Sequence, residues 1–230
     1  MSGRGTVGPM PRPSRLLTLC APLCASLALS ACAPVTGPAA LRFAPGAADT
    51  AAPDPTRLLS AQTVPPALLP SVPEAVRRAP DGSLIVVCNV HARPWGVCSH
   101  VARKLAPGRI SDSPGLFAGG VQNRPEETLY GRDAVIVLEV GVTPERLPRL
   151  RAEAERLNGA PYLLAGETAA GLDCTTYQNL LQRAAGLPDV AARNPVWRLW
   201  LPQDILTGPA VQAGGRVLWV GQGPDPSPRP

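Results

Sequence analysis

The chain has 230 residues, 45% of them hydrophobic but only 4% aromatic, and a formal charge of +5. Three of the positive charges, Arg4, Arg12 and Arg15, lie in residues 1–31, which carry no acid, so the remainder stands near +2 and makes no case for nucleic-acid binding. No glycine-rich phosphate loop, dinucleotide fingerprint or carboxylate-rich metal motif is present, so neither an organic cofactor nor a resident metal is expected.

The uncharged apolar run Leu16–Ala31 after those arginines is too short to span a bilayer comfortably and reads as a secretion signal over residues 1–31. Its end, Leu29-Ser30-Ala31-Cys32, resembles a bacterial lipobox, which implies cleavage before Cys32 and lipidation of that cysteine. The expected location is extracytoplasmic, anchored to a bacterial membrane. Residues 32–80, rich in Ala and Pro, read as a linker, with Leu58, Leu59, Leu68, Leu69 and Val76 available for a short helix or clasp. A loose tether of that length would reach on the order of 40 Å.

Residues 81–220 have the length of one domain, and 221–230, with four prolines, read as a tail. Within the domain, strands are expected over 83–90, 97–103 and 109–113, a central strand over the apolar run 134–140, and a last strand over 216–220. A helix capped by Thr143 is expected to run to Leu157, with Pro148 disturbing its start. A second helix follows Asp173: Tyr177, Leu180, Leu181 and Ala184 share a face, and Gly186 and Pro188 signal the stop. The fold class is α+β, with helices packed on one side of an antiparallel sheet.

Cys174 falls in the first turn of that second helix, where free amides and the helix dipole favour an anion, so it reads as a nucleophile; the plain alternative is a small buried side chain. Both histidines, His91 and His100, precede it. Cys88 and Cys98 flank Pro94-Trp95-Gly96. An oxidising compartment makes a disulfide between them the first reading, with free buried thiols or a zinc site made with His91 and His100 as alternatives. Trp95, Trp197, Trp200 and Trp219 could line a groove, though core packing is the ordinary role, and no site is assigned to them.

The segment Leu157-Asn158-Gly159-Ala160-Pro161-Tyr162, then Gly171-Leu172-Asp173-Cys174 and a helix ending in Ala185-Gly186-Leu187-Pro188, resembles the nucleophile region of NlpC-type cell-wall cysteine peptidases. With no histidine after Cys174, the order matches the permuted, YiiX-like branch of that papain-like superfamily, on Gly82-Ser83-Leu84-Ile85-Val86-Val87, Ser99-His100-Val101-Ala102 and Leu201-Pro202-Gln203-Asp204-Ile205-Leu206. The resemblance implies a permuted papain-like domain with Cys174 as nucleophile and His100 as general base and acid. It further implies an orienting group, for which Asp112 is the first candidate and Ser111 and Glu139 follow, and an oxyanion role for Tyr162 beside the Cys174 amide. Residues 166–171 lack the tryptophan-glycine pair common in the family. The implied activity is hydrolysis of an amide bond, foremost in peptidoglycan stem peptides. The same pair could serve a lipid or lipoprotein acyltransferase or acyl-amide hydrolase, and a non-catalytic envelope lipoprotein is the third reading. Expected partners are the membrane, through the anchor, and a peptidoglycan or lipid-amide substrate.

Overall fold

A computed structural model describes residues 41–47, 51 and 53–224. The expected signal, Cys32 and the last six residues of the expected tail lie outside the described residues. Six strands form one antiparallel sheet: β1 (Leu84–Arg93), β2 (Gly96–Ala106), β3 (Arg109–Asp112), β4 (Gln122–Pro125), β5 (Ala134–Glu139) and β6 (Arg216–Gln222). Their order across the sheet is β6-β5-β1-β2-β3-β4.

Strands β1 and β5, neighbours in the interior of the sheet, carry near-continuous apolar runs, Leu84-Ile85-Val86-Val87 and Ala134 to Leu138, and both faces of such strands must be covered. Side-chain alternation divides them between two cores. Leu84, Val86, Ile136 and Leu138 pack with Leu41, Leu58, Val190 and Leu206, whereas Ile85, Val87, Val135 and Val137 pack with Val72, Ala75 and Val76.

The second cover is helix α1 (Val72–Arg78), and it overturns two expectations. Helices lie on both faces of the sheet rather than one, and residues 53–80 are not a linker. Ser71 caps α1 by accepting from the Glu74 amide, and Pro73 sits in the first turn, where a missing N–H costs nothing. Pro55 and Pro66 begin short helical turns in the same way. Leu41 and Phe43 are buried too; the Leu41 amide donates to the Val90 carbonyl, and the Phe43 amide to Gln222 Oε1. The expected clasp residues are therefore part of the domain, and β6 runs two residues into the segment assigned to the tail.

Helix α2 (Leu147–Leu157) starts four residues after Thr143, whose carbonyl accepts from the Arg146 and Leu147 amides in the preceding turn; Pro148 falls in the first helical turn. It packs beside helix α3 (Cys174–Ala184) through a third core containing Leu150, Ala154, Leu157, Tyr177 and Leu181. Helix α3 ends before Gly186, whose φ of +68° suits the left-handed stop.

Candidate active site

Helix α3 begins with a complete capping box. Asp173 Oδ1 accepts from the amides of Thr175 (2.9 Å) and Thr176 (2.8 Å), while Thr176 Oγ1 accepts from the Asp173 amide (3.1 Å). Asp173 Oδ2 accepts from the Ala165 amide at 3.1 Å, tying the loop after Tyr162 to the helix start. Cys174 is therefore fixed as the first helical residue. It is a free thiol, 9% exposed, at the floor of an open cleft.

His100 comes from β2, where the register against β1 slips: Val87 faces His100, but Cys88 faces Cys98, leaving Ser99 as an extra residue. A bulge of this kind re-aims side chains out of strict alternation. Asn89 Nδ2 holds the bulge by donating to Ser99 Oγ at 2.7 Å. Cys88 and Cys98 are joined as a disulfide just below it, so the free-thiol and zinc alternatives for this pair fall away; His91 is exposed.

The imidazole of His100 has a group on each side. Its Nε2 meets Asp112 Oδ2 at 2.7 Å, which leaves Nδ1 as the nitrogen available to the Cys174 thiol, the second group that acts on the ring. Burial opposes a charged ring, but Asp112 and the Cys174 sulfur together outweigh it and raise the His100 pKa to about 9. Asp112 is fully buried, which on its own would raise its pKa; His100 and Arg124 prevail and hold it below the usual carboxylate value. Arg124 Nε donates to Asp112 Oδ1 at 2.9 Å, and its Nη2 donates to Oδ2.

Of the three orienting candidates, the structure brings only Asp112 to the imidazole. Ser111, one residue along and on the opposite pleat, shares a 2.6 Å hydrogen bond with Tyr177 under α3. Glu139 pairs with Arg216 at 2.5 Å on an exposed part of the sheet. Tyr162 is half-buried near the thiol; burial first, then the Cys174 and Asp173 charges, push its pKa up to about 12, so its hydroxyl remains a donor at neutral pH. The Cys174 backbone amide is a second donor there, one of the first-turn amides that the helix itself leaves without an acceptor.

The sequence reading missed two arginines. Arg124 lies on β4, whose Gln-Asn-Arg-Pro sequence lacks every strand signal; its register puts it diagonal to Asp112 across the β3–β4 pair. Arg103 is wholly buried and joins β2 to α3 through Gln178 and Gln182, with its Nη1 also on the Gly82 carbonyl. Burial lowers its pKa to about 9.

The cleft above Cys174 has a volume of about 230 Å³. Trp95, at the β1–β2 hairpin tip, and Trp200 line it, so two of the four tryptophans left without a role belong to the site. Trp219 instead donates to the Ala75 carbonyl and lies against Arg78 on the far face. Gly96, with φ of +130°, lets the hairpin approach Gln203: a Cβ there would come within 1.5 Å of Oε1.

No family profile matches this chain, and no curated protein matches it. A solved structure described as the crystal structure of metalloprotein yiiX from Escherichia coli O157:H7, DUF1105, is similar over 67% of this chain and 99% of its own, at 15% identity and a TM-score of 0.47. The metal in that description belongs to that protein; among the described residues here, no group of three or more His, Cys, Asp and Glu side chains could hold a metal ion.

Proposed function

We propose that this chain is a thiol hydrolase of the permuted NlpC-type, papain-like class, in which Cys174 attacks the carbonyl carbon of an amide or ester. The observation that carries the reading is the bonded run His100–Asp112–Arg124 acting on Cys174, a free thiol at a helix N-terminus on an open cleft.

In the first step the Cys174 sulfur adds to the carbonyl, and the developing oxyanion takes hydrogen bonds from the Cys174 amide and the Tyr162 hydroxyl. The tetrahedral centre collapses to a thioester. His100, protonated in the resting pair, gives its proton to the departing amine or alcohol. Water then attacks the thioester as His100 accepts its proton, and collapse expels the Cys174 sulfur as thiolate, which releases the carboxylic acid and restores the Cys174–His100 pair. Asp112 fixes the ring orientation and favours the imidazolium, while Arg124 keeps Asp112 ionised.

The secretion signal and lipidated Cys32 belong to the same proposal and put the reaction outside the cytoplasm at a membrane. A stem-peptide amide falls within this bond class, as does an acyl ester or amide. The test is turnover of a panel of chromogenic amides and esters together with muropeptides. Cys174→Ala is expected to abolish whichever reaction occurs; undiminished turnover in that variant overturns the reading.

A further inference from the structure

The lining of the Cys174 cleft, the residues around its mouth and the point at which the chain enters the fold all bear on what reaches the sulfur. Inside the cleft, Leu164, Leu199, Leu201 and Pro202 join the two tryptophans, and the polar lining groups besides the thiol and Tyr162 are Ser99 and Asp173. Asp173 is the only charged one, and both its oxygens are held by backbone amides of the cap and the 162–165 loop. A substrate bearing ammonium and carboxylate groups therefore meets no ready counter-charge within the lining. At about 230 Å³, the cleft exceeds the roughly 150 Å³ apolar cavity that accommodates benzene, so it has room for a ring or an alkyl segment.

The large apolar side chains left exposed concentrate on the loops that supply this lining. Among the described residues these are Trp95, Phe117, Leu163, Leu164, Val196 and Trp197, and all but Phe117 lie on the three loops that build the cleft. Single exposed apolar residues are ordinary, but five of six on the loops of one cleft are not. The same loops, residues 93–96, 161–166 and 192–201, carry Arg93, Arg193 and Arg198 and no acidic residue. Apolar side chains, indole rings and arginines together complement an anionic lipid surface, where the rings sit at headgroup level and the cations meet phosphate.

Leu41 is buried and bonded to Val90, three residues before the hairpin that bears Trp95. It lies nine residues after Cys32 in the sequence, and nine residues of any chain reach at most on the order of 30 Å, less than the roughly 40 Å expected of a 48-residue tether.

We propose that the mouth of the Cys174 cleft docks on the anionic membrane surface to which the chain is anchored, and that the cleft takes in the aliphatic chain of an acyl ester or amide from that surface. The chemistry rests on the thiol-hydrolase reading above: the acyl carbonyl bonds to sulfur, the alcohol or amine leaves with the His100 proton, and water releases the fatty acid.

Two measurements on the full-length chain in vesicles of phosphatidylethanolamine and phosphatidylglycerol test this. In the first, p-nitrophenyl esters from acetate to laurate are compared. The specificity constant is expected to rise by up to about fourfold per methylene until the cleft is filled. A flat or falling series that still depends on Cys174 overturns the acyl occupant and leaves the hydrolase reading standing; turnover independent of Cys174 overturns the hydrolase reading itself. In the second, lipids brominated on their acyl chains are expected to quench much of the tryptophan emission, and Val196→Asp with Arg198→Glu to reduce that quenching severalfold while the melting temperature shows the domain folded. Emission indifferent to brominated lipid in the wild-type chain overturns the docking.

Discussion

Lys104 and His100, two basic side chains four residues apart on strand β2, have opposite fates. Lys104, the chain's one lysine, is 1% exposed and points its Nζ at Glu126 and the Val76 carbonyl; Glu126 in turn accepts from the Gly108 amide and the Tyr130 hydroxyl. Every partner in that cluster is structural. His100 is paired to a carboxylate just as firmly, but its second nitrogen faces a free thiol under an open cleft. Burial and a carboxylate partner are common to both clusters. What separates them is remaining bonding capacity directed at a space where a substrate can enter.

The comparison breaks most sharply at the sulfur. Cys174→Ala is expected to lower turnover by roughly 10⁴-fold or more while leaving the thermal midpoint nearly unchanged, as read by initial rates and calorimetry. Lys104→Met alone leaves Glu126 buried without its cation, and denaturant titration is expected to register a loss of about 3–5 kcal/mol, with turnover per folded molecule retained. Adding Glu126→Leu to that variant should recover most of the loss; failure to recover would mean that the pair does more than fill a hole.

Asp112→Asn sharpens the contrast from the other side. The ring keeps a hydrogen-bond partner but loses its anionic one, and the specificity constant is expected to fall by about 10²- to 10³-fold. In a nuclear magnetic resonance titration the His100 pKa should drop below about 9 in this variant, and also in Cys174→Ala, because both partners raise it. The smallest expected effect is on stability against pH. A histidine whose pKa rises from 6.5 unfolded to about 9 folded contributes fully below 6.5 and loses that contribution as pH climbs through 9. Unfolding free energies from denaturant titration at pH 6.5 and 9.5 should differ by on the order of 3 kcal/mol, and His100→Gln should remove most of the difference.

How much of this was legible in the sequence depends on how local the signal is. Helix α3 could be read because its cap, its apolar spacing and its glycine stop all lie within fourteen residues. The pairing of His100 with Asp112 followed from strand assignments and a family resemblance, since nothing in Ser-His-Val announces a bulge. Arg124 was hidden because its strand lacks β-branched residues and exists only through pairing with β3. The error over residues 53–80 had a different origin. Composition suggested a linker, yet Pro55, Pro66 and Pro73 start helical turns rather than prevent them, and the two-sided apolar runs of β1 and β5 required a second cover that this segment supplies.

The sulfur bridge near the bulge bears on how the molecule can be interrogated. With Cys88 and Cys98 joined to each other, Cys174 is the one free thiol among the described residues, so an alkylating reagent finds a single target in the folded domain. Label taken up per mole then becomes a head-count of competent molecules, and its rate against acidity traces the imidazole's own titration without any substrate being known.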